Sequence, residues 1–224
     1  MSDAVDTVLF DLDDTICRYE RSADEVLSVA FDRVGVEPFF TGREYVDRFD
    51  EFATEGAVID EIRADCFATF AAEADRDPAV GREIAAAYAA ERDQTRVEFL
   101  PGAEAALEAV AADHEVALVT NGDPELQSPK VESLGIGDHF ETVVHGGHDA
   151  PYKPDPAPFH VALDHLGARP ERAVHVGNSL ESDVAGAHAA GLQSVWLADG
   201  TDPEPEPDYV LDSVADLRTP PWTG

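Results

Sequence analysis

The chain has 224 residues, enough for one large domain or a domain carrying an insertion, and enough to bury a sizeable core. Its 47 acidic against 15 basic residues give a formal charge of −32, while 44% of residues are apolar; this excludes a disordered acidic chain and leaves the charge as a solvated surface on a folded body. So acidic a surface repels nucleic acid and anionic membranes, and neither is expected as a partner.

An apolar, strand-like run from Val5 to Phe10, broken only by Asp6 and Thr7, delivers two carboxylates at i and i+2, Asp11 and Asp13, and leaves through the turn-prone Asp13-Asp14-Thr15. Spacing of two places both side chains on one face of an extended chain, with the Leu12 backbone pointing the other way. Like charges so close call for a cation or a shared proton, and a hard divalent ion such as Mg2+ is the usual solution. The plainer alternative is a strand followed by an acidic turn.

After Thr15 the pattern turns helical for about eighty residues. Ser22 and Glu25 form a capping box before a helix with apolar Val26, Leu27, Val29, Ala30 and Val34, ended by Gly35. Further helices are expected over Arg43–Thr54, Val58–Ala74 and Pro78–Arg92, so residues 17–96 read as a small helical unit inserted after the first acidic motif. From Phe99-Leu100-Pro101-Gly102 onward, strands and helices alternate. A helix through Leu107 to Ala112 precedes a strand over Glu115–Thr120 and a helix over Pro124–Leu134. The next pairs are Glu141–His145 with Pro156–Leu166, and Ala173–Gly177 with Ser182–Ala190. A strand over Ser194–Ala198, an acidic proline-rich loop over Asp199–Asp208 and a short edge strand at Tyr209-Val210-Leu211 complete the chain. Alternation of this kind predicts an α/β fold, a Rossmann-like parallel sheet with helices on both faces, built from residues 1–16 and 97–224.

Three further strand ends carry polar residues. Thr120-Asn121-Gly122 offers a hydroxyl, an amide and a glycine whose backbone N–H can approach a phosphate, although Asn-Gly is also simply a good turn. Lys153 sits in Lys153-Pro154-Asp155-Pro156 and is one of only two lysines beside thirteen arginines, so its persistence points to function. Asn178 and Asp183, five apart at the turn after the fourth core strand, could reach a metal held by Asp11 and Asp13, and Asp183 could equally be a helix-terminus acid. The other lysine, Lys130, is expected on the surface of the helix after Thr120, and His175 as a core histidine bonded to backbone. His145 and His148 lie in a glycine-rich loop and read as solvent-exposed rather than as a second metal site. Cys17 and Cys66 read as free thiols in a reducing compartment. No basic leader or membrane-length apolar run occurs, so a soluble, cytoplasmic protein is expected.

Taken together, Asp11-Leu12-Asp13-Asp14-Thr15, Thr120, Lys153 and Asn178 with Asp183 resemble, in order, the four motifs of the haloacid dehalogenase superfamily, specifically its phosphatase branch with a helical cap inserted after the first motif. The resemblance implies a Mg2+-dependent phosphomonoester hydrolase acting on a small soluble phosphate. Asp11 would be the nucleophile that forms an aspartyl-phosphate, and Asp13 the general acid and base. Thr120, Asn121 and Lys153 would hold the phosphoryl oxygens, with Leu12, Thr15 and Gly122 also around the substrate. Mg2+ would be held by Asp11, the Asp13 carbonyl, Asn178 and Asp183. One departure stands out: the fourth motif usually begins Gly-Asp, and here it is Gly177-Asn178, which keeps an oxygen ligand and loses one charge.

The cap is expected to choose the substrate, with Arg18 and Arg21, and also Arg43 or Arg63, as counter-charges for an anionic tail. Residues 18–96 hold ten of the fifteen basic and nineteen of the 47 acidic residues, about −9 against about −23 for the rest. A dehalogenase of the same superfamily would lack the acid at Asp13. A phosphomutase or phosphonate hydrolase shares the motifs, the latter wanting a cap lysine that is absent. A non-catalytic binding module on the same scaffold would rest on Asn178 alone. Near-absence of lysine in so acidic a chain also resembles proteins of salt-accumulating halophiles, where molar salt screens repulsion beyond about 3 Å.

Overall fold

A computed structural model of the chain describes residues 4–52, 58–198 and 200–223. The chain divides into two units, Met1–Arg18 with Val97–Gly224, and Tyr19–Arg96. The first is an α/β unit whose six-stranded sheet has the order β5-β4-β1-β6-β7-β8. Its strands are β1 (Thr7–Phe10), β4 (Glu115–Asn121), β5 (Thr142–Gly146), β6 (Ala173–Gly177), β7 (Gln193–Leu197) and β8 (Tyr209–Leu211), and every pairing is parallel. Helices α5 (Ala103–Ala111), α6 (Pro124–Leu134), α7 (Ala157–Leu166) and α8 (Ala185–Ala190) alternate with them. All residues of β1 and β6 are buried, as expected for strands covered on both faces.

Topology fixes where chemistry can occur. From β1 the chain steps to β4 and outward to β5, then returns to the other side of β1 for β6, β7 and β8. The order therefore reverses at β1, and the crevice beyond the carboxyl ends of such strands is where open α/β sheets bind ligands. Phe10 is in register with both Leu118 and Val176, and the Asp11 N–H donates to the Val176 carbonyl at 2.9 Å, so the ends of β1, β4 and β6 come together. Leu9, Ala117, Val119, Val144, Phe159, Ala162 and Leu163 pack together below that edge.

The second unit contains α1 (Ala23–Val34), α2 (Gly42–Arg48), α3 (Ile59–Glu73) and α4 (Pro78–Glu91). Ser22 and Glu25 form the expected capping box on α1, and Gly35 closes the helix at φ 78°. A second box, Thr41 with Glu44, opens α2. Phe31, Phe40, Tyr45, Phe67, Phe70 and Tyr88 form its aromatic core, with Phe40 stacked on Phe70 at 4.7 Å. No helix among the described residues is long and apolar enough to cross a membrane.

Some elements differ from expectation. Cys17–Tyr19 forms a strand, β2, which pairs with β3 (Val97–Phe99) in a separate two-stranded sheet; a three-residue strand is too short to display a period of two. The helical unit accordingly begins at Tyr19 rather than at residue 17. The helix expected over Arg43–Thr54 ends at Arg48 and continues as a 3-10 turn, Phe49–Glu51; residues 53 and 54 lie outside the described residues, as does Asp199 at the head of the acidic loop. The helix expected from Ser182 begins with a π turn over Leu180–Val184, for a reason that lies in the site.

Candidate active site

Asp11 follows the last residue of β1 and is 7% exposed. The Lys153 ammonium lies 2.8 Å from its Oδ1, 2.6 Å from Asp183 Oδ1 and 2.8 Å from the Val119 carbonyl oxygen, so one buried cation ties together the ends of β1 and β4 and the turn after β6. Asp183 is further fixed by His175 Nε2 at 3.0 Å and by the Ser179 N–H at 3.0 Å. The wide π turn lets the Asp183 carboxylate lie back against the end of β6, and Gly177 leaves the room for it. His175 is buried as expected, and beside the Leu9 backbone its Nε2 meets Asp183: a carboxylate only accepts, so Nε2 carries the proton.

The electrostatics follow from two carboxylates sharing one ammonium. Burial pushes the Asp11 carboxyl up to about 7, against the pull of Lys153 and with help from the Asp183 charge. Burial acts on Asp183 too, but Lys153 and His175 prevail and hold it below the ordinary carboxylate range. For Lys153 burial opposes the charge, and the two carboxylates outweigh it and keep its pKa above the usual lysine value. Burial lowers the pKa of His175, which is therefore neutral at physiological pH. Cys17 is pushed up to about 12, by burial first and by Asp13 second, so it is no nucleophile.

Asp13 belongs to a separate set of contacts. Lys130 Nζ lies 2.7 Å from both of its carboxylate oxygens, and Gln127 Nε2 donates to Oδ2 at 3.1 Å and to the Asn121 carbonyl at 2.8 Å. Lys130 is 2% exposed, which corrects its expected place on the helix surface: α6 turns this face toward the first motif. Gln127 and Lys130 are the functional candidates that sequence reasoning missed. The rarity of lysine, which singled out Lys153, also marks Lys130, but it does not say which way the side chain faces.

The remaining expected residues are placed as follows. Asp14 takes a left-handed turn at φ 55°, and the Leu12 carbonyl accepts from the N–H groups of Thr15, Ile16 and Cys17, which curls the motif back past the end of β1. Thr15 Oγ1 lies 3.3 Å from Asp11 Oδ2 and 3.4 Å from Asn178 Oδ1, bringing those two oxygens to a common neighbour. Thr120 is buried near the end of β4. The Asn121 side chain exchanges two hydrogen bonds with the Lys153 main chain, at 3.1 and 2.8 Å, and so braces the lysine. Gly122, at φ 127°, leaves space for the Gln127 amide, which a Cβ would meet at 2.7 Å.

Arg18 is bonded to Glu98, and Arg21 to Glu91. Arg43 is exposed beside Asp47, whereas Arg63 is buried among Tyr45, Asp60 and Tyr88 inside the helical unit, which removes it from the available counter-charges. His145 is buried with Nδ1 3.2 Å from Asp149, contrary to the exposure expected of it, and the His148 side chain is 54% exposed. A cleft lined by Asp6, Thr7, His114, Glu115 and Arg172 lies at the opposite, amino-terminal ends of β1 and β4, away from all of these groups.

The donor set suits a hard cation. Among the described residues no three His, Cys, Asp or Glu side chains converge as a metal cluster, and a cation here would need an amide or main-chain oxygen beside the carboxylates. Once Asp11 is ionised, Asp11, Asp13 and Asp183 face two ammonium groups with one negative charge in excess, and the candidate donors are all oxygens, as Mg2+ requires.

A family model described as haloacid dehalogenase-like hydrolase matches residues 5–191. Among characterised relatives, a phosphoserine phosphatase of Thermus thermophilus is 41% identical over 150 residues, covering 65% of this chain and 58% of the relative. The N-acylneuraminate-9-phosphatase of Homo sapiens is 35% identical over 131 residues, covering 55% of this chain and 53% of the relative. The chain thus spans little more than half the length of these relatives. Among solved structures, the magnesium-bound HAD-hydrolase YfnB of Bacillus subtilis superposes with a TM-score of 0.76 at 21% identity, covering 96% of this chain and 97% of that one. The L-2-haloacid dehalogenase of Xanthobacter autotrophicus gives 0.71 at 18% identity, over 96% and 97%. Phosphatase and dehalogenase neighbours share the fold, so the fold alone does not choose between them.

Proposed function

The chain belongs to the haloacid dehalogenase-like hydrolases, and on that premise we propose that it is a Mg2+-dependent phosphomonoester hydrolase acting on a small phosphorylated metabolite through an aspartyl-phosphate on Asp11. The observation that carries the reading is the pair of carboxylates two residues apart with separate partners, Asp11 on Lys153 and Asp13 on Lys130. A nucleophile and an acid–base group need different environments at one strand end. A dehalogenase attacks carbon and has no use for the second carboxylate. Relatives named phosphoserine phosphatase and N-acylneuraminate-9-phosphatase support the phosphatase side.

In this reading Asp11 attacks phosphorus, the bond from phosphorus to the ester oxygen breaks, and a proton from the Asp13 carboxyl goes to the leaving alkoxide. Asp13 then takes a proton from water, which attacks the same phosphorus and breaks its bond to Asp11, releasing inorganic phosphate. Lys153 and Thr120 hold the phosphoryl oxygens as charge develops on them. Asp11, the Asp13 carbonyl, Asn178 and Asp183 would hold Mg2+, which would screen the carboxylates from the phosphate dianion. The inserted helical unit, Tyr19–Arg96, serves as the cap that selects the substrate; Arg18 and Arg21 remain its candidate counter-charges, already paired with Glu98 and Glu91.

The test is phosphate release from a panel of phosphomonoesters with Mg2+ or with chelator, for wild type and Asp11→Asn. Wild type is expected to turn over only with Mg2+, and Asp11→Asn, which cannot form the acyl phosphate, to fall below about 1% of wild type, in line with loss of a nucleophile. Undiminished turnover in chelator, or an active Asp11→Asn protein free of deamidation, defeats the reading.

A further inference from the structure

We propose that Lys130, assisted by Gln127, is a positioning residue for Asp13, a role that rests on the hydrolase reading above. Lys130 Nζ is equidistant from the two Asp13 oxygens, at 2.7 Å, and Gln127 Nε2 adds a third contact at 3.1 Å. Three contacts from one face of α6 leave the carboxylate a single orientation, whereas its side chain is 35% exposed and would otherwise sample several. None of these groups bonds Asp11, whose own partners are Lys153 and Thr15. The two carboxylates are therefore paired with different ammonium groups, Asp13 with Lys130 and Asp11 with Lys153.

Details of the helix agree with a built clamp. The Gln127 amide faces two acceptors, Asp13 Oδ2 and the Asn121 carbonyl, which fixes its NH2 end toward them, and its buried Oε1 has no hydrogen-bond partner among the described residues. A buried carbonyl left unsatisfied is unfavourable, so the orientation is set by Asp13 and the Asn121 carbonyl together and not by the helix interior. Gly122 belongs to the same device, since a Cβ there would stand 2.7 Å from Gln127 Nε2. The geometry assigns Lys130 an effect on the step in which Asp13 transfers a proton, and none on Asp11 directly.

Acting through Asp13 has a kinetic signature. Lys130→Met is expected to lower kcat with alkyl phosphates by about 10- to 100-fold, a fraction of the ~10²–10⁴-fold typical of acid–base help, with KM changed little. With p-nitrophenyl phosphate, whose leaving group needs no proton, the loss should be within about 3-fold, and Lys130→Arg should recover part of the alkyl activity. In an Asp13→Asn background, Lys130→Met should cost less than about 2-fold further, because coupled residues are non-additive. Equal losses on both esters, or a full further loss in the Asp13→Asn background, overturns the proposal, as does unchanged turnover. If Lys130→Met does not fold, Gln127→Leu carries the same comparison with one contact removed. Wild-type turnover with Mg2+, and its loss in Asp11→Asn, keep a failure of the hydrolase reading distinguishable from a failure of this one.

Discussion

The smallest side chain in the site has a sharp consequence. A Cβ on Gly177 would lie 2.2 Å from the Asp183 carboxyl carbon, so Gly177→Ala must displace the carboxylate that shares Lys153 with Asp11. The expected result is loss of phosphate release by about 10²-fold or more, as when one electrostatic partner at a reacting centre is removed, with a lower melting temperature. A Gly177→Ala protein retaining activity within a few-fold would show that Asp183 does not set the position of Lys153. Asp11, Lys153 and Asp183 were legible in the chain because Asp11 directly follows β1, and Lys153 and Asp183 lie in the turn-rich segments that follow β5 and β6. Lys130 was not, because a single lysine in the middle of a helix has the same pattern whether it faces solvent or a carboxylate. Its direction is decided by how α6 packs over the first motif, which is a tertiary fact. Arg63 shows the same limit in reverse, a charge expected to be available to an anion and found buried.

Secondary structure was legible where the pattern was long enough to repeat. Helix α6 begins and ends at the expected Pro124 and Leu134, and β6 at Ala173 and Gly177, since N-terminal prolines, C-terminal glycines and apolar runs mark them. The three-residue β2 and the π turn escaped, one being too short for any period and the other being shaped by contacts of Asp183. Capping chemistry in the helical unit gives a pH-dependent prediction. The Ser22 N–H and hydroxyl hold the Glu25 pKa below its ordinary 4.5, and the Thr41 hydroxyl and N–H do the same for Glu44. A depressed carboxylate contributes stability that is present above its unfolded value and is lost as pH falls through the folded one. Glu25→Gln/Glu44→Gln should therefore lower the urea midpoint at pH 7, and the difference from wild type should shrink as pH falls below the ordinary carboxylate range and through the depressed folded values. A difference that stays unchanged all the way down an acid titration would place the effect outside these two charges.

For the molecule as a whole, charge sets the conditions under which everything above operates. A formal −32 means that most acids have no cation to pair with, so repulsion among them opposes the compact state. Exposed pairs such as Arg48 with Glu51 and Glu73, or Arg96 with Glu20, relieve little, being worth about 0–1 kcal/mol each and weaker in salt. Salt thus acts in opposite directions on the pairs and on the unpaired excess. The excess is far larger, and shortening the screening length from about 8 Å at physiological ionic strength to about 3 Å at 1 M removes most of its long-range part. The melting temperature is expected to rise on the order of 10 °C between 0.1 and 3 M KCl, which corresponds to roughly 3–5 kcal/mol for a chain of this size. The apparent KM for an anionic ester should fall over the same range, since the field that repels it is the field being screened. Mg2+ stands apart from this effect: Asp11, Asp183 and Lys153 are buried together, where bulk ions screen poorly, so no concentration of KCl should replace it. Melting curves and KM at fixed Mg2+ across a KCl series, beside a sucrose series of equal osmolarity, separate screening from general exclusion of solute. A melting temperature that falls with KCl, or one raised equally by sucrose, would mean that self-repulsion does not limit this fold.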